Sequence, residues 1–354
     1  MNPEVSVVMP VRDGGRWLDD AILSVQRQTK TSYELIVIDD GSRDRSADIV
    51  ENYARLDPAI RLFRQDRQGI VSALNRGIVE SRGEFIARID SDDVAKPERL
   101  DRQVAYLRTH PQCALLGSWA DRIDEEGAVT GELTPPVAAD KIADLLMRTN
   151  PFIHSSIMMR KCVLQDVGLY RAALTGAEDY DLWLRIAEVA GIAILPEKLI
   201  QYRVHGKNIS RRAQARQLLS TRLAQWSATL RWRGDEDPLV QLQTPPSSES
   251  LHALGHAALV ELARLFCVLE LADASDLSLP TGRGLDLTVL DGHTLKLTHA
   301  ERRLAQLALI NVLKNTSPLE TGYFGLVSRL IRLHPARASY LFIASLRDAL
   351  KSSR

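Results

Sequence analysis

Phe85-Ile86-Ala87-Arg88-Ile89-Asp90-Ser91-Asp92-Asp93 runs a short apolar segment straight into three carboxylates. An apolar run of this length is a buried strand, and in an open parallel sheet the space beyond the carboxyl ends of the strands is where ligands sit. Carboxylates crowded together repel one another unless a cation neutralises them. Oxygen ligands of this kind favour Mg²⁺ or Mn²⁺, ions that keep waters and substrate phosphates in their shells. The stretch therefore predicts a strand end that bridges protein carboxylate, divalent metal and diphosphate. A solvated acidic loop is the simpler reading of Asp-x-Asp-Asp alone, and the strand immediately before it is what tips the balance.

Working outward, the same grammar repeats. Val5-Ser6-Val7-Val8-Met9 is a buried strand ended by Pro10, and Leu18, Ala21, Ile22 and Val25 follow at helical spacing. Leu35-Ile36-Val37-Ile38 is a second strand, closed by Asp39-Asp40-Gly41-Ser42, with a helix running on to Tyr53. Ile60 to Phe63 is a third strand, Gly69 to Arg76 a helix, and Pro97 opens another helix at its first position. Strand and helix alternating in this way predict an α/β fold with a mostly parallel sheet. Beyond it, Ala114 to Ser118 is extended, Asp124-Glu125-Glu126-Gly127 is a hairpin turn, Asp140 to Arg148 is helical, and a helix carrying Asp179 to Ala190 precedes a strand from Ile192 to Leu195.

Several ordered segments resemble family 2 glycosyltransferases. They are Ser6-Val7-Val8-Met9-Pro10-Val11-Arg12-Asp13, Gln26-Arg27-Gln28-Thr29, Glu34 to Ser42, Ile89 to Asp93, Asn150-Pro151-Phe152-Ile153-His154-Ser155-Ser156, Gly176 to Arg185 and Tyr202-Arg203-Val204-His205. Each piece is common, but the ordered series over roughly residues 4 to 210 is specific. The resemblance implies a GT-A nucleotide-diphospho-sugar transferase fold over 1–210, with the nucleotide sugar held by about 1–100 and the acceptor side formed by about 101–210. It implies a UDP- or dTDP-linked donor and a glycan or lipid-linked acceptor in cell-surface polysaccharide or glycoconjugate synthesis. By position, Pro10 and Arg12 line the base pocket, Asp40 accepts from the base N–H with Asp39 in support, and Asp90 faces the ribose or a metal-bound water. Asp92 holds Mn²⁺ or Mg²⁺ with Asp93 behind it, His205 completes the metal shell or touches the diphosphate, and Arg203 pairs with a phosphate. His154 reaches the donor sugar or acceptor, or serves a structural hydrogen bond.

Asp179 is the expected catalytic base, because an attacking hydroxyl must lose its proton to a group within hydrogen-bond reach. One such carboxylate on the face opposite the leaving diphosphate gives a single displacement and inversion, by the stereochemical logic of inverting hydrolases. Asp179, Leu182 and Trp183 share one helix face, whereas Asp181 lies about 200° round the helix and points elsewhere. Glu178 is the neighbouring competitor, and both acids also suit a helix N-terminus.

Lys plus Arg and Asp plus Glu each number 45, so formal neutrality argues against a nucleic-acid partner. Cys113, Cys162 and Cys267 form no CxxC pair and suit a reducing compartment. The opening residues show no signal-peptide pattern, and the best membrane-span candidate, Ala257 to Ala272, is interrupted by Glu261, Arg264 and Glu270. A cytoplasmic protein is expected. Residues 211–354 change character to a mainly helical region; from Arg329 to Arg354 six Lys or Arg face one acid, Asp348. That segment reads as a basic helix on the inner membrane face, or as a bundle packed on the catalytic domain or on a second copy in a homo-oligomer. The enzymatic rival, a sugar-phosphate nucleotidyltransferase, wants a Gly-rich basic loop after the first strand, and Pro10 to Gly15 is a poor one. A non-catalytic nucleotide-binding scaffold leaves the later motifs unexplained.

Overall fold

The structure is a computed structural model that describes residues 2–29, 32–206 and 214–262, apart from 258 and 261. The expectations for Cys267, the basic segment 329–354 and most of the 257–272 stretch lie outside the described residues. Among the described residues, no helix is long and apolar enough to cross a membrane.

The chain opens with β1 (Val5–Val11), α1 (Leu18–Gln26), β2 (Tyr33–Asp40), α2 (Ser46–Leu56), β3 (Ile60–Gln65), α3 (Ile70–Glu80) and β4 (Phe85–Arg88). It continues through β5 (Val94–Ala95), α4 (Arg99–Thr109), β6 (Cys113–Ile123), β7 (Val129–Leu133), α5 (Ala139–Leu146) and β8 (Met158–Arg160). Then come α6 (Val163–Val167), α7 (Glu178–Val189), β9 (Gly191–Arg203) and α8 (Gln214–Arg233).

Nine strands form one sheet in the order β3-β2-β1-β4-β8-β6-β9-β5, with β7 paired to β6. The pairs β1–β2, β2–β3, β1–β4 and β6–β9 are parallel, whereas β4–β8, β6–β8, β6–β7 and β5–β9 are antiparallel. The sheet is thus mixed, not mostly parallel. The first four strands are joined by crossover units; the three-residue β8 comes back antiparallel to β4 and β6, a pairing that needs no crossover helix and so leaves no strand–helix alternation to announce it.

Alternation along β1 and β2 sorts the core. Val5, Val7, Met9, Val11, Leu35 and Val37 pack with α1, α2 and α4, while Ile36, Ile38 and Ala73 form a smaller cluster on the α3 side. Pro10 does not end β1. The Val8 carbonyl accepts from Ile89 N–H, so Pro10, two residues on, presents its missing donor to the same side, where β4 has already ended. β9 likewise runs past Pro196 to Arg203, because its register against β6 shifts around Trp119 and lets Pro196 and Glu197 bulge out. Pro97 lies before α4, not at its first position: the Lys96 N–H bonds to the Leu199 carbonyl and keeps the chain extended there.

The chain divides into two compact units, one of 1–208 with 223–244 and one of 209–222 with 245–354. The sequence suggested one boundary at 210. The return of 223–244 to the first unit rests on ion pairs: Arg231 contacts Glu188 at 2.7 Å, and Asp237 contacts Arg171 at 2.8 Å.

Helix α3 crosses β1 closely at Gly77, where an added Cβ would lie 2.4 Å from Val8 Cγ1. Val8 is fully buried and β-branched, so it has nowhere to turn. Gly77→Ala is therefore expected to destabilise by about 1–3 kcal/mol despite the helical preference for alanine, read as a lower urea midpoint with unchanged m-value.

Candidate active site

Strand order reverses beside β1: β2 and β3 lie on one side, and β4 on the other. This switch point opens a crevice beyond the carboxyl ends of β1, β2 and β4. Pro10 and Val11 end β1, Asp39 and Asp40 end β2, and Asp90 to Asp93 follow β4.

The loop after β1 is stitched to the loop after β2. Backbone N–H groups of Asp13, Gly14 and Gly15 donate to Ser42 Oγ, Ser46 Oγ and Asp44 Oδ2, each at 3.0 Å. Asp13 Oδ1 accepts from Arg43 N–H at 2.7 Å, and Asp13 itself takes φ of 50° to make the turn. These amides are spent on side chains and cannot cradle a phosphate, which weighs against a nucleotidyltransferase loop here. Arg12 stands exposed at the rim, 3.9 Å from Asp13. Pro10 is buried in the strand beneath it.

The two acids of β2 part company because neighbours on a strand face opposite ways. Asp40 turns to the α3 side and accepts from Gln68 N–H, Gly69 N–H and Gln65 Nε2 at 2.7–2.8 Å. Its carboxylate thus holds the start of α3, with three of its acceptor positions already filled before any base N–H reaches it. Asp39 accepts only from Ser42 N–H, at 3.2 Å, and its other oxygen has no protein donor among the described residues.

Asp90, Asp92 and Asp93 each bring one carboxylate oxygen within 4.8 Å of the others. Asp90 is gripped by both terminal nitrogens of buried Arg88 and by Ser155 Oγ at 3.1 Å. Ser155 Oγ in turn accepts from Arg88 and from Asp90 N–H. Asp93 is 1% exposed; Oδ1 accepts from Arg203 N–H at 2.7 Å, and Oδ2 is buried with no partner among the described residues. Burial, then the charges of Asp90 and Asp92, push the Asp93 carboxyl well above its usual range, and burial with Asp90 raises Asp92 in the same direction. Such a cluster costs free energy until a cation joins it.

The long β9 delivers His205 to this cluster, Nε2 2.7 Å from Asp92 Oδ2, with its ring 4.4 Å from the Trp17 ring. Arg203 is placed differently from expectation. Its guanidinium is buried and donates to the carbonyls of Asp92, Asp124 and Glu125 and to Asp20, so it clamps the acidic loop and does not await a phosphate.

On the far side of Arg88 lies the start of α7. Asp179 Oδ2 accepts from Asn150 Nδ2 at 2.7 Å and Oδ1 from Tyr180 N–H at 2.7 Å. His154 Nδ1 is 4.0 Å from Oδ2, and its Nε2 is 3.1 Å from Tyr170 Oη. Burial raises the Asp179 carboxyl, opposed by Tyr180 N–H, the Arg88 charge and Asn150. Burial, and next Asp179, push Glu178 up to about 7. Burial and Arg88 hold His154 far below its usual range, hence neutral. Asp181 faces away, fully buried between Arg171 and Arg185, and belongs to the scaffold. The residues that sequence reasoning left without a role are Asn150, Ser155, Trp17 and Arg88. The first two sat inside a quoted motif, but their partners, 29 and 65 positions away, could not be seen along the chain.

Glu178 binds its proton more tightly folded than unfolded, so its stabilisation is complete below about pH 4.5 and lost as pH rises towards 7. Glu178→Gln removes that titration. The variant is expected to lose less stability than wild type between pH 5 and pH 8, by on the order of 1–3 kcal/mol, measured as the difference in urea unfolding free energy.

Comparison with known proteins places this arrangement. The model of the family described as Glycosyl transferase family 2 matches residues 6–168. An O-antigen biosynthesis glycosyltransferase of Escherichia coli, WbnJ, is 33% identical over 215 residues, covering 60% of this chain and 84% of that protein. Among solved structures, S. aureus TarS 1–349 in complex with UDP-GlcNAc superposes with a TM-score of 0.55 at 17% identity, covering 100% of this chain and 92% of that one. The mannosyltransferase PcManGT from Pyrobaculum calidifontis, in complex with GDP-Man and Mn²⁺, gives 0.52 at 16% identity, covering 90% and 89%. The structural matches carry the fold, which is GT-A-like, and the sequence match carries the family: the chain belongs to glycosyl transferase family 2.

Proposed function

We propose that this chain transfers a sugar from a nucleotide-diphosphate donor, UDP- or dTDP-linked, to an acceptor hydroxyl, with inversion at the anomeric carbon. The observation that carries the proposal is the position of Arg88 between two carboxylate groups. It is bidentate on Asp90, at the diphosphate side, while its charge is also felt at Asp179, Glu178 and His154. Asp179, set apart from the acidic cluster, suits one displacement, since the neighbouring Glu178 is turned back to accept from Gly176 N–H.

Asp92, with Asp90 and Asp93 beside it and His205 at its Oδ2, is the proposed seat of Mn²⁺ or Mg²⁺. The all-oxygen set and the partnerless Oδ2 of Asp93 fit a hard cation. When bound, that ion supplies Lewis-acid stabilisation of charge on the departing diphosphate. The chain's own residues do the rest. Asp39, with its open oxygen, takes over the base-reading role expected of Asp40, beside Arg12 and Pro10. Asp179 removes the proton from the acceptor hydroxyl as it attacks. His154, neutral and wedged against Tyr170 and Trp183, walls the crevice near the acceptor. The resemblance to an O-antigen enzyme supports a role in cell-surface polysaccharide synthesis, with a glycan or lipid-linked acceptor. Contact with the inner membrane face or a homo-oligomer belongs to the same proposal.

Titration of UDP in Mn²⁺ by calorimetry should saturate for the wild type, and Asp92→Asn should weaken binding by about 10- to 100-fold. Equal affinity in that variant sinks the metal assignment. Asp179→Asn should bind UDP and Mn²⁺ as the wild type does yet lose about 10²- to 10⁴-fold in sugar transfer, assayed against a panel of nucleotide sugars. Undiminished transfer would remove Asp179 as base.

A further inference from the structure

We infer that Asn150 is the positioning residue for Asp179: it aims the carboxylate and holds it ionised in a buried site. This rests on Asp179 as the base and goes a step deeper. The amide of Asn150 is fixed from both ends. Its Oδ1 accepts from Phe152 N–H at 3.0 Å, two residues on, in an Asx-type turn through Pro151. That bond settles which end of the amide is oxygen, so the other end, Nδ2, must face Asp179 Oδ2 at 2.7 Å as a donor.

Among the described residues, the charged and titratable groups around Asp179 come from several elements. From its own helix, Glu178 sits next to it and disfavours a second negative charge. From the turn after Asn150, His154 Nδ1 lies at 4.0 Å, beyond hydrogen-bond reach, and the ring is neutral. Tyr170, on the segment before α7, keeps its proton, pushed far up first by burial. Arg88, from β4, contributes charge but already grips Asp90. Tyr180 N–H holds Oδ1. Asn150 is thus the sole side-chain donor on Oδ2 among the described residues. A donor to the charged form favours that form, against a burial that pushes the carboxyl up. Removing it must raise the pKa of the base, so the ionised, proton-accepting form appears only at higher pH.

The test is a pH titration of the protein itself, with aspartate carboxyl carbons labelled with ¹³C and read by NMR. The Asp179 resonance is assigned by its disappearance in Asp179→Asn. In Asn150→Ala its midpoint is expected to move up by about one pH unit. Asn150→Asp keeps the acceptor for Phe152 N–H, and therefore the turn, but replaces the donor by a like charge. Its acidic limb of transfer rate should move up further, with a melting temperature close to wild type. An Asp179 midpoint unmoved in Asn150→Ala, or an unshifted limb in Asn150→Asp, overturns the role of Asn150. Full transfer by Asp179→Asn would instead overturn the base on which it depends, and these two failures are read from different variants.

Discussion

The buried guanidinium of Arg88 is the charge around which the site is arranged. It cannot be deprotonated at any working pH, so burying it requires anions, and Asp90 supplies the nearest one through a two-pronged contact. Arg99, just below, donates to the Arg88 carbonyl and is itself pushed down to about 9 by burial and by Arg88. Two buried cations beneath three carboxylates make the end of β4 a partly balanced ion cluster. The balance is incomplete, since Asp92 and Asp93 still titrate high and one oxygen of Asp93 has no partner. That residual negative charge is what a divalent cation is suited to neutralise.

Arg88 also ties the two halves of the chemistry. Its own strand belongs to the crossover half of the sheet, while Ser155, which bonds both Arg88 and Asp90, comes from the short turn before β8. The same turn region bears Asn150 and His154 against Asp179. The short stretch from Asn150 to Ser155 therefore reaches both the acidic cluster and Asp179, and fixes the spacing between them. β9 performs the corresponding service on the other flank: by bulging past Pro196 it stays paired to β6 long enough for Arg203 to clamp the acidic loop and His205 to meet Asp92.

Much of the fold was legible along the chain. The apolar runs of β1 and β2, the helical spacing of α1 and the acids after apolar strands are local patterns that need no partner to be read. The ordered motif series pointed to the family, and the sequence relatives bear that out. Two prolines misled because their effect depends on neighbours: Pro10 is harmless where no strand pairs on its side, and Pro196 is harmless where the register slips. Mixed pairing escaped notice because a three-residue strand such as β8 has no signature apart from its partners.

What the amino-acid order determined by itself was which residues are acidic and that they follow apolar strand runs, and hence that carboxylates gather at the open end of a sheet. Only the tertiary structure decided what each carboxylate does. Asp39 and Asp40 are adjacent and chemically identical, yet one is consumed by the amides of α3 and the other keeps an open oxygen. Asp179 and Asp181 are two positions apart, yet one faces the crevice and the other is locked between arginines. The physical reason is that a carboxylate's role is set by the donors and charges within a few ångströms of it, and these come from segments tens of residues away that only folding brings into contact.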